Sequence, residues 1–174
     1  DGYWKKIANG EISPDAAKLP DGWLIVDTTL RRDRENIKQP NLNDPFGPFL
    51  EELRKNKKII TWFDLRGRTT PEASRGGLSY ANQIGRVVLP EIAALLKVEV
   101  SVVRLLKAIE FNILGNFKYP EWGEVDTSEL LGDEFLYGGR LEGGNSRKGG
   151  LSDINVSWCG SNEKFFRPVI IVPA

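Results

Sequence analysis

A first helix is predicted at about residues 44–55, where apolar residues recur at the three- and four-residue spacing of one helix face. An Asp-Pro pair directly before this run supplies a residue that caps helices and a proline that suits the first turn. Three lysines after the run complement the negative end of the helix dipole. The pattern therefore predicts a helix that starts near Asp44 and buries Phe46, Phe49, Leu50 and Leu53.

A second helix is predicted from about residue 79 to residue 97. Pro90 lies inside it, and because proline removes a backbone hydrogen bond and crowds the preceding turn, we expect a kink or a new segment there. The next apolar run, 101–114, fits either a third helix capped by Ser101 or a strand, because periodicity alone does not decide between them. The buried stripe predicted for the second helix consists of Ile84, Val87, Val88, Ile92, Leu95 and Leu96.

Two apolar, β-branched runs near the ends of the chain predict strands. The first covers residues 23–29 (WLIVDTT), and the second closes the chain at residues 166–174 (FRPVIIVPA). A buried central strand needs a hydrogen-bonding neighbour on each side. We therefore expect the two terminal strands to pair with each other.

The character of the sequence changes after Gly115. Glycine becomes frequent, no helical stripe continues, and the apolar segments are short. Between residues 153 and 158, Ile, Val and Trp alternate with Asp, Asn and Ser, which is the period of a half-buried strand. Helices followed by short strands and glycine-rich turns predict a single α+β domain over residues 1–174. In this domain, two or three helices would pack on a small, mostly antiparallel sheet.

The composition removes most classes of catalyst. The chain has 174 residues, no histidine and one cysteine, with 24 basic and 24 acidic residues. It therefore cannot build a Ser-His-Asp triad, a histidine metal site or an internal disulfide. The formal net charge of zero argues against a general nucleic-acid binder.

Motifs for cofactors and for membranes are missing as well. Neither GxxxxGK[ST] nor GxGxxG nor a DxDxDG loop occurs, so we expect no cofactor and no metal. No stretch approaches the roughly 20 apolar residues of a membrane span. The first ten residues lack the apolar core of a signal peptide. We expect no membrane insertion, and the sequence leaves the compartment and the oligomeric state undetermined.

Two local features carry the chemistry that remains. Glu121, Glu124 and Asp126 cluster beside Trp122, as in a sugar-stacking acidic site, although a turn built on a structural tryptophan fits the pattern better. A reactive thiol needs a nearby cation or a helix end. No general base accompanies Cys159, so we interpret this cysteine as an incidental surface residue.

Two segments near the C-terminus resemble a known family. RLEGG (140–144) and FRPVIIV (166–172) flank a middle stretch that is rich in small polar residues. This ending is similar to that of C-type-lectin-fold proteins of the formylglycine-generating-enzyme type, which show an R-(V/L)-x-G-G element and close with G-F-R and an apolar strand. Within that group, the chain resembles the variable proteins of diversity-generating retroelements. The resemblance implies a C-type lectin fold, in which the N- and C-terminal strands lie together.

The chain departs from these families in three respects. Phe165 stands where the pattern usually has glycine before Phe-Arg. The paired active-site cysteines of the formylglycine-generating enzyme are absent, so its oxidase chemistry is not implied. The EPN/QPD and WND elements of calcium-dependent sugar-binding lectins are also absent, so calcium-mediated sugar binding is not expected.

The resemblance implies a variable ligand-binding region at about residues 140–165. In these retroelements, adenine-directed mutagenesis rewrites asparagine-type codons, which gives any residue except Lys, Glu, Gln, Trp or Met. Residues 152–157 and 159–162 contain only the allowed types. The implied ligand-binding surface comprises Asn145, Ser146, Arg147, Ser152, Asp153, Ile154, Asn155, Val156, Ser157, Cys159, Gly160, Ser161 and Asn162. The implied scaffold anchors are Trp158, Phe166 and Arg167, and Arg167 would fix the terminal strand through hydrogen bonds to loop carbonyls.

The functional hypothesis is a non-enzymatic binding protein for a protein or cell-surface ligand, with no nucleic-acid partner. Two alternatives stand beside it. One is a small glycan- or peptide-cleaving enzyme, which predicts a deep cleft next to Trp122. The other is a structural or virion-attachment module, which differs from the first hypothesis mainly in genomic context.

Overall fold

The protein is α+β, as predicted. In the computed structural model the described residues form four α-helices, one π-helix and seven strands, so the prediction of two or three helices is too low. The described ranges are 2–32, 44–60, 73–136, 139–157 and 164–174, without the side chain of residue 157. The helices are α1 (Gly2–Ala8), α2 (Gly47–Lys55), the π-helix (Tyr80–Val88), α3 (Leu89–Leu96) and α4 (Ala108–Phe117). The strands are β1 (Trp23–Val26), β2 (Val103–Leu105), β3 (Ser128–Phe135), β4 (Gly139–Gly143), β5 (Ile154–Ser157), β6 (Lys164–Phe166) and β7 (Pro168–Val172).

The first sheet joins the two ends of the chain. Its strand order is β1-β7-β2, and both pairings are antiparallel, with Trp23 opposite Val172. β7 is therefore the central strand, and the predicted pairing of the terminal strands is confirmed. The strand predicted at 23–29 ends three residues earlier, because Asp27 accepts hydrogen bonds from the backbone amide and the hydroxyl of Thr29 and so forms a turn.

The second sheet has the strand order β5-β4-β3-β6. β4 runs antiparallel to both of its neighbours, and β6 runs parallel to β3. The prediction of one small sheet is thus corrected to two, because the chain passes from the second sheet to the first between β6 and β7. β5 lies at one edge, which places the segment 145–157 at the periphery of the domain.

The helix predicted over residues 79–97 forms as two segments. The π-helix passes directly into α3 at Leu89, and Pro90 lies in the first turn of α3. The predicted new segment at this proline is confirmed. The predicted burial of Leu95 and Leu96 is wrong, because α3 ends there, beyond the core, and these side chains are 63% and 46% exposed. The rest of the predicted stripe lies in or against the core: Ile84, Val87, Val88 and Ile92.

The apolar run at 101–114 contains a strand, β2, followed by the start of a helix, α4. The predicted cap at Ser101 is wrong, because Ser101 lies in a 3-10 turn before β2 and the N-cap residue of α4 is Lys107. The Glu110 carboxylate accepts a hydrogen bond from the Lys107 backbone N–H at 2.8 Å, and Asp133 of β3 accepts one from the Ala108 N–H at 2.5 Å. Two carboxylates therefore fix the point at which the helix begins.

The helix predicted after Asp44 is α2. Asp44 Oδ1 accepts a hydrogen bond from the Phe46 N–H at 2.9 Å, one turn before the helix begins at Gly47. The same carboxylate is buried and binds the Arg75 guanidinium at 2.6 and 2.7 Å. Asp44 thus joins the turn before α2 to the loop that carries Arg75. The prediction that it caps the helix is wrong, because the N-cap residue is Phe46 and α2 has no side-chain cap.

Two hydrophobic cores complete the domain. The first contains residues of α2, the π-helix and α3 packed with residues of β2, β3 and β6, such as Ile84 and Phe166. The second contains residues of α1 and α4 packed with residues of β3, β4 and β7, such as Phe111 and Leu141. Within the described ranges, no helix is both long enough and apolar enough to cross a membrane.

Candidate ligand-binding surface

A tight loop at residues 145–153 connects β4 to β5, and Asn145 holds its start. The side-chain amide of Asn145 donates to the Asp126 carbonyl at 2.9 Å, and its side-chain oxygen accepts from the Arg147 N–H at 3.0 Å. Its backbone carbonyl accepts from two further N–H groups of the loop, at 3.0 and 2.9 Å. Because Asn145 is buried, these hydrogen bonds fix the loop from the inside.

Leu151 anchors the middle of the same loop. Its side chain lies against Gly115 of α4 and against Gly123, where an added Cβ would come within 2.5 and 2.8 Å of it. The Leu151 carbonyl accepts a hydrogen bond from Asn112 Nδ2 at 3.1 Å. Only glycine leaves room for this side chain at both positions, so the loop and α4 are fitted together.

β5 continues the loop with side chains that alternate between two faces. Ile154 and Val156 are half-buried and pack against the second core, whereas Asn155 is exposed on the opposite face, across from Glu142 of β4. The predicted half-buried period is confirmed for these residues. The Asn155 side-chain amide donates to the Asp153 carboxylate, which is itself buried.

Besides the exposed Gly149, five residues of this segment have exposed side chains and form the surface available to a ligand. Four of them, Ser146, Arg147, Ser152 and Asn155, are in the predicted set. The fifth, Lys148, is exposed beside them and is missing from that set. We refer to these five residues as the loop–β5 surface.

The structure corrects the predicted surface at four positions. Asn145 and Asp153 are buried, because their side chains hold the loop and the start of β5 together by hydrogen bonds. Ile154 and Val156 lie against the core, because they occupy the inward positions of the strand. Ser157 belongs to β5 by its backbone. The other predicted positions lie outside the described residues: Trp158, Cys159, Gly160, Ser161 and Asn162.

The basic residues of the loop–β5 surface pair with neighbouring acids. Arg147 Nη2 lies 2.6 Å from Asp126 Oδ2, and Lys148 Nζ lies 3.8 Å from Glu142 Oε1. Both basic side chains are more than half exposed, whereas the side chains of Asp126 and Glu142 are only 10% and 9% exposed. Each exposed basic group is therefore accessible at the surface and is paired with a nearly buried carboxylate. Burial raises the pKa of Asp153 behind them, and Lys148 opposes this rise.

A group of three buried, charged residues connects the second sheet to the loop after β1. Glu129 of β3 binds Arg167 through two contacts, Nε–Oε1 at 2.9 Å and Nη2–Oε2 at 3.1 Å. Arg31 binds the same carboxylate through Nη1 at 2.9 Å. Burial by itself raises the pKa of Glu129, but the two guanidinium groups outweigh burial and hold this pKa below its usual range. We refer to these three residues as the ionic hub.

Arg167 also makes the hydrogen bonds to loop carbonyls that the sequence predicts. Its Nη1 donates to the carbonyl of Asp27 and, at 3.1 Å, to the carbonyl of Thr29, in the loop that follows β1. Its guanidinium carbon lies 4.0 Å from the ring centroid of Trp122, a cation–π contact. Arg167 therefore ties the terminal strand to the second core. Phe166, the neighbouring anchor, is buried in the first core.

The RLEGG segment has a structural explanation. Gly144 has a φ of +84°, and its carbonyl accepts a hydrogen bond from Arg31 Nη2 at 2.9 Å. At the other end of the segment, Arg140 Nη1 donates to the Gly132 carbonyl at 2.6 Å. The Arg140 guanidinium also lies 3.8 Å from the ring centroid of Tyr80. Both ends of the segment thus stabilise the scaffold, and neither belongs to the exposed surface.

The indole of Trp122 is closed to a sugar ring. It is 1% exposed, and the rings of Phe111 and Tyr119 stack on it with centroid distances of 5.8 and 4.7 Å. Asp126 of the neighbouring acidic cluster pairs with the loop arginine. The idea of a sugar-stacking site at Trp122 is therefore wrong, and the indole is the structural tryptophan that the same pattern also allowed.

A groove of about 470 Å³ adjoins the loop–β5 surface. It lies between α1 and α4, and Ser152 and Ile154 form one of its sides. Its lining includes no charged residue, and its aromatic wall is Trp4, which is 49% exposed. The groove thus offers a neutral contact area next to the exposed loop.

Within the described ranges, no group of three or more His, Cys, Asp and Glu residues could hold a metal ion. Comparisons with protein-family models, with curated proteins and with solved structures find no match to the chain.

Sequence reasoning missed two of the three members of the ionic hub. Glu129 directly precedes a Leu-Leu pair in β3, and a carboxylate in an apolar segment is a signal of a buried, paired charge. Its partner Arg31 is 98 positions away, in a charged stretch that has the composition of a solvated loop. The sequence therefore indicates that Glu129 is a buried, paired charge, but it does not show that Arg31 is the partner.

Proposed function

We propose that the chain is a non-enzymatic ligand-binding protein whose exposed loop and strand positions are diversified, as in the variable proteins of diversity-generating retroelements. One observation carries the proposal. Within 145–157, exposed side chains such as Ser146 and Asn155 alternate with side chains that are held from inside, such as Asn145 and Leu151. Substitution of exposed side chains on a fixed backbone changes stability little, which is what a diversified surface requires.

We also propose that the domain is C-type lectin-like. The pairing of β1 with β7 supports this inference, because that fold places the two terminal strands together. The two segments that carry the family resemblance support it as well. RLEGG contacts the hub through Gly144, and the terminal segment supplies one of its three members, Arg167.

Recognition at the loop–β5 surface relies on shape and on a few adaptable polar contacts. Serine and asparagine side chains form hydrogen bonds in many geometries, and Arg147 adds a planar donor. The adjacent groove contributes apolar area, including the exposed face of Trp4. Because the loop is already ordered, binding loses less conformational entropy there. These properties suit a protein or cell-surface ligand.

Sequence variation at the gene tests the proposal most directly. We expect a near-copy of the last codons beside a reverse transcriptase gene, and differences between sister copies only at adenines of that template. Variation at positions 146, 147, 152 and 155, with constancy at 145 and 151, supports a diversified surface. If the template is missing, or if differences fall equally on exposed and held positions, the proposal fails and the attachment module becomes the better hypothesis.

Matched libraries test the display property separately from the genome. One library randomises four exposed positions, and the other randomises four positions that are held inside or against the core. Display on yeast, followed by proteolysis of unfolded members, should retain most of the first library and few members of the second. Selection against a set of unrelated purified proteins should then give binders from the first library alone. Equal loss of folded members from both libraries would contradict the proposal. The exposed set is Ser146, Lys148, Ser152 and Asn155, and the held set is Asn145, Leu151, Asp153 and Val156.

A further inference from the structure

The groove between α1 and α4 has one aromatic wall and one wall of amides. The α1 side carries the indole of Trp4, which is 49% exposed. The α4 side carries Asn112 and Asn116, which are four positions apart and therefore share one face of the helix. Ser152, in the loop before β5, adds a hydroxyl. We refer to this groove as the α1–α4 groove; it sets an apolar ring beside groups that both donate and accept hydrogen bonds.

Backbone carbonyls hold the two amides in place. Asn112 Nδ2 donates to the Leu151 carbonyl at 3.1 Å, and Asn116 Nδ2 donates to the Asn112 carbonyl at 2.8 Å. A side-chain amide has two N–H donors and one acceptor oxygen, so each amide keeps one N–H and its oxygen without a partner among the described residues. These remaining groups are oriented before a ligand arrives, which lowers the entropy lost on binding.

The indole of Trp4 is also held in place. The ring of the buried Tyr3 meets it edge to face, with centroids 5.3 Å apart and an interplanar angle of 71°. The Tyr3 hydroxyl donates to the Ala16 carbonyl at 3.2 Å, which fixes the tyrosine in turn. Trp4 is therefore a supported aromatic platform, and about half of its surface stays open to solvent.

The size and charge of the α1–α4 groove narrow the class of ligand. Its volume of about 470 Å³ lies within the roughly 300–1,000 Å³ of small-molecule sites. None of the described residues that line it is charged, so it offers no ionic partner for a carboxylate, phosphate or ammonium group. The lining also includes the apolar side chains of Ala108, Ile109 and Ile154. A ligand that fits is therefore neutral, with an apolar face and polar groups around its rim.

We propose that the α1–α4 groove binds a neutral sugar ring, which stacks on Trp4 and forms hydrogen bonds with Asn112 and Asn116. The C–H bonds of a pyranose form an apolar face that matches the indole. Its hydroxyls donate and accept hydrogen bonds, as the amides do, so each amide can pair through its N–H and its oxygen.

A sugar ring fits this groove better than a peptide does. An extended peptide binds by adding a strand to a sheet edge, and an amphipathic helix binds in an apolar groove. Ile154, the first residue of β5, is the only strand residue among the described residues of the lining, so the groove offers no length of strand to extend. The two amides interrupt the apolar lining, and an apolar helix face would leave them unpaired.

The sugar site goes beyond the proposed function. Trp4, Asn112 and Asn116 lie outside the loop–β5 surface, and only Ser152 belongs to both. Sugar binding therefore requires no diversified position, and its failure would leave the tests by gene comparison and by library as they stand. Where both hold, a glycan would contact the groove while the protein that carries it contacts the loop–β5 surface.

Saturation-transfer NMR of the full chain tests for binding, with glucose, galactose, mannose and N-acetylglucosamine as probes. We expect saturable binding of at least one of them, with a dissociation constant on the order of 1–10 mM, as for a ligand of about a dozen non-hydrogen atoms. Glucuronic acid should bind no better than glucose, and added sodium chloride should leave the affinity unchanged, because no ion pair contributes. Amide chemical shifts should move at α1, at α4 and at residue 152.

Substitution of the platform tests the stacking contact. Trp4→Ala should raise the dissociation constant of the bound sugar by at least about tenfold, and Trp4→Phe, which keeps an aromatic face, should raise it less. Trp23→Ala is the matched control, because Trp23 is 75% exposed on β1, outside the groove. This control should leave the dissociation constant unchanged, and circular dichroism should show that all three variants are folded.

Substitution of an amide tests the hydrogen bonds. Asn116→Ala should raise the dissociation constant about three- to tenfold. Asn56→Ala on α2 is the matched control, since Asn56 is also exposed and its amide also donates four residues back, to Glu52. It should leave sugar binding unchanged.

Three results would overturn the proposal. One is the absence of saturable binding by all four neutral sugars. Another is an equal loss of affinity in Trp4→Ala and Trp23→Ala, or in Asn116→Ala and Asn56→Ala. The third is a set of chemical-shift changes at the groove with the capped peptide acetyl-trialanine amide and with no sugar, which would assign the groove to a peptide.

Discussion

Gly144 and Arg31 contact each other so closely that a side chain at position 144 would displace the guanidinium. The Gly144 carbonyl accepts a 2.9 Å hydrogen bond from Arg31 Nη2, and a Cβ on Gly144 would lie 2.6 Å from that nitrogen. Arg31 in turn binds Glu129. The glycine that ends the RLEGG segment is therefore part of the contact between β4 and the ionic hub.

Gly144→Ala is expected to lower the free energy of unfolding by at least about 2 kcal/mol, from the left-handed backbone and from the displaced guanidinium. Urea denaturation measures the loss. Gly10→Ala is the matched control, because Gly10 has a similar φ of +73° but nothing within 4 Å of the added Cβ. It should cost only about 1 kcal/mol. Equal losses for the two variants would contradict the steric role of Arg31.

Glu129→Gln is expected to destabilise the fold by about 3–5 kcal/mol, because it leaves two buried guanidinium groups without their common carboxylate. Glu134→Gln on the same strand is the control: its side chain is 63% exposed, and its loss should cost less than about 1 kcal/mol. If Glu129→Gln does not fold, Arg167→Lys also measures how much the contacts to the Glu129 carboxylate contribute to stability. That variant keeps the charge but loses the two-point contact, and its stability should be intermediate. Two equal losses at Glu129 and Glu134 would refute the hub.

Acid pH is expected to weaken the contact between Asp27 and Arg75. Burial raises the pKa of Asp27, but Arg75 and the hydrogen bonds from Thr29 outweigh burial, and the net effect lowers this pKa. The ionised carboxylate therefore stabilises the fold above the unfolded pKa of about 3.9, and this contribution disappears as pH falls through the lower folded value. Asp27→Asn should lose about 1.5–3 kcal/mol near neutral pH, and the difference from the parent should shrink below about pH 4. Thermal unfolding over this pH range checks the trend, and a difference independent of pH would speak against it.

Asp153 is expected to make the fold less stable as pH rises, which is the opposite of the pH dependence expected for Asp27. Burial raises its pKa, Lys148 lowers it, and the neighbouring Glu142 raises it again, with a net rise. Protonation therefore favours the folded state, and stability is lost as pH rises through the folded pKa. Asp153→Asn should be slightly more stable than the parent near neutral pH, with no gain at pH values below the unfolded pKa. A loss of stability at neutral pH would show that the ionised carboxylate is needed in the loop.

Leu151→Ala is expected to destabilise the domain by about 1–3 kcal/mol, because the cavity beside Gly115 and Gly123 cannot close. Lys148→Ala, three residues earlier on the exposed surface, should change stability by no more than about 0.5 kcal/mol. Hydrogen exchange should show faster exchange at 145–153 in the leucine variant alone. Similar effects of the two substitutions would remove the distinction between held and exposed positions on which the proposed function depends.

The sequence by itself determined the features that follow from short-range pattern and from obligatory backbone pairing. Residues 23–29 and 166–174 read as strands, and a central strand needs two neighbours, so their pairing follows without the structure. The alternation at Ile154, Asn155 and Val156 likewise predicts which side chains turn inward, because the period of a strand is local. Pro90 marked a helix start for the same kind of reason.

Only the tertiary structure decided which polar residues of the C-terminal segment are held and which are exposed. Asn145 and Ser146 are both small and polar, yet Asn145 is buried because the Asp126 carbonyl, 19 positions away, accepts its amide. Arg31 has the sequence context of a solvated loop and lies in the interior beside Glu129. A local pattern carries no information about such partners, because the packing of distant segments sets which group meets each buried donor and which cavity each side chain fills.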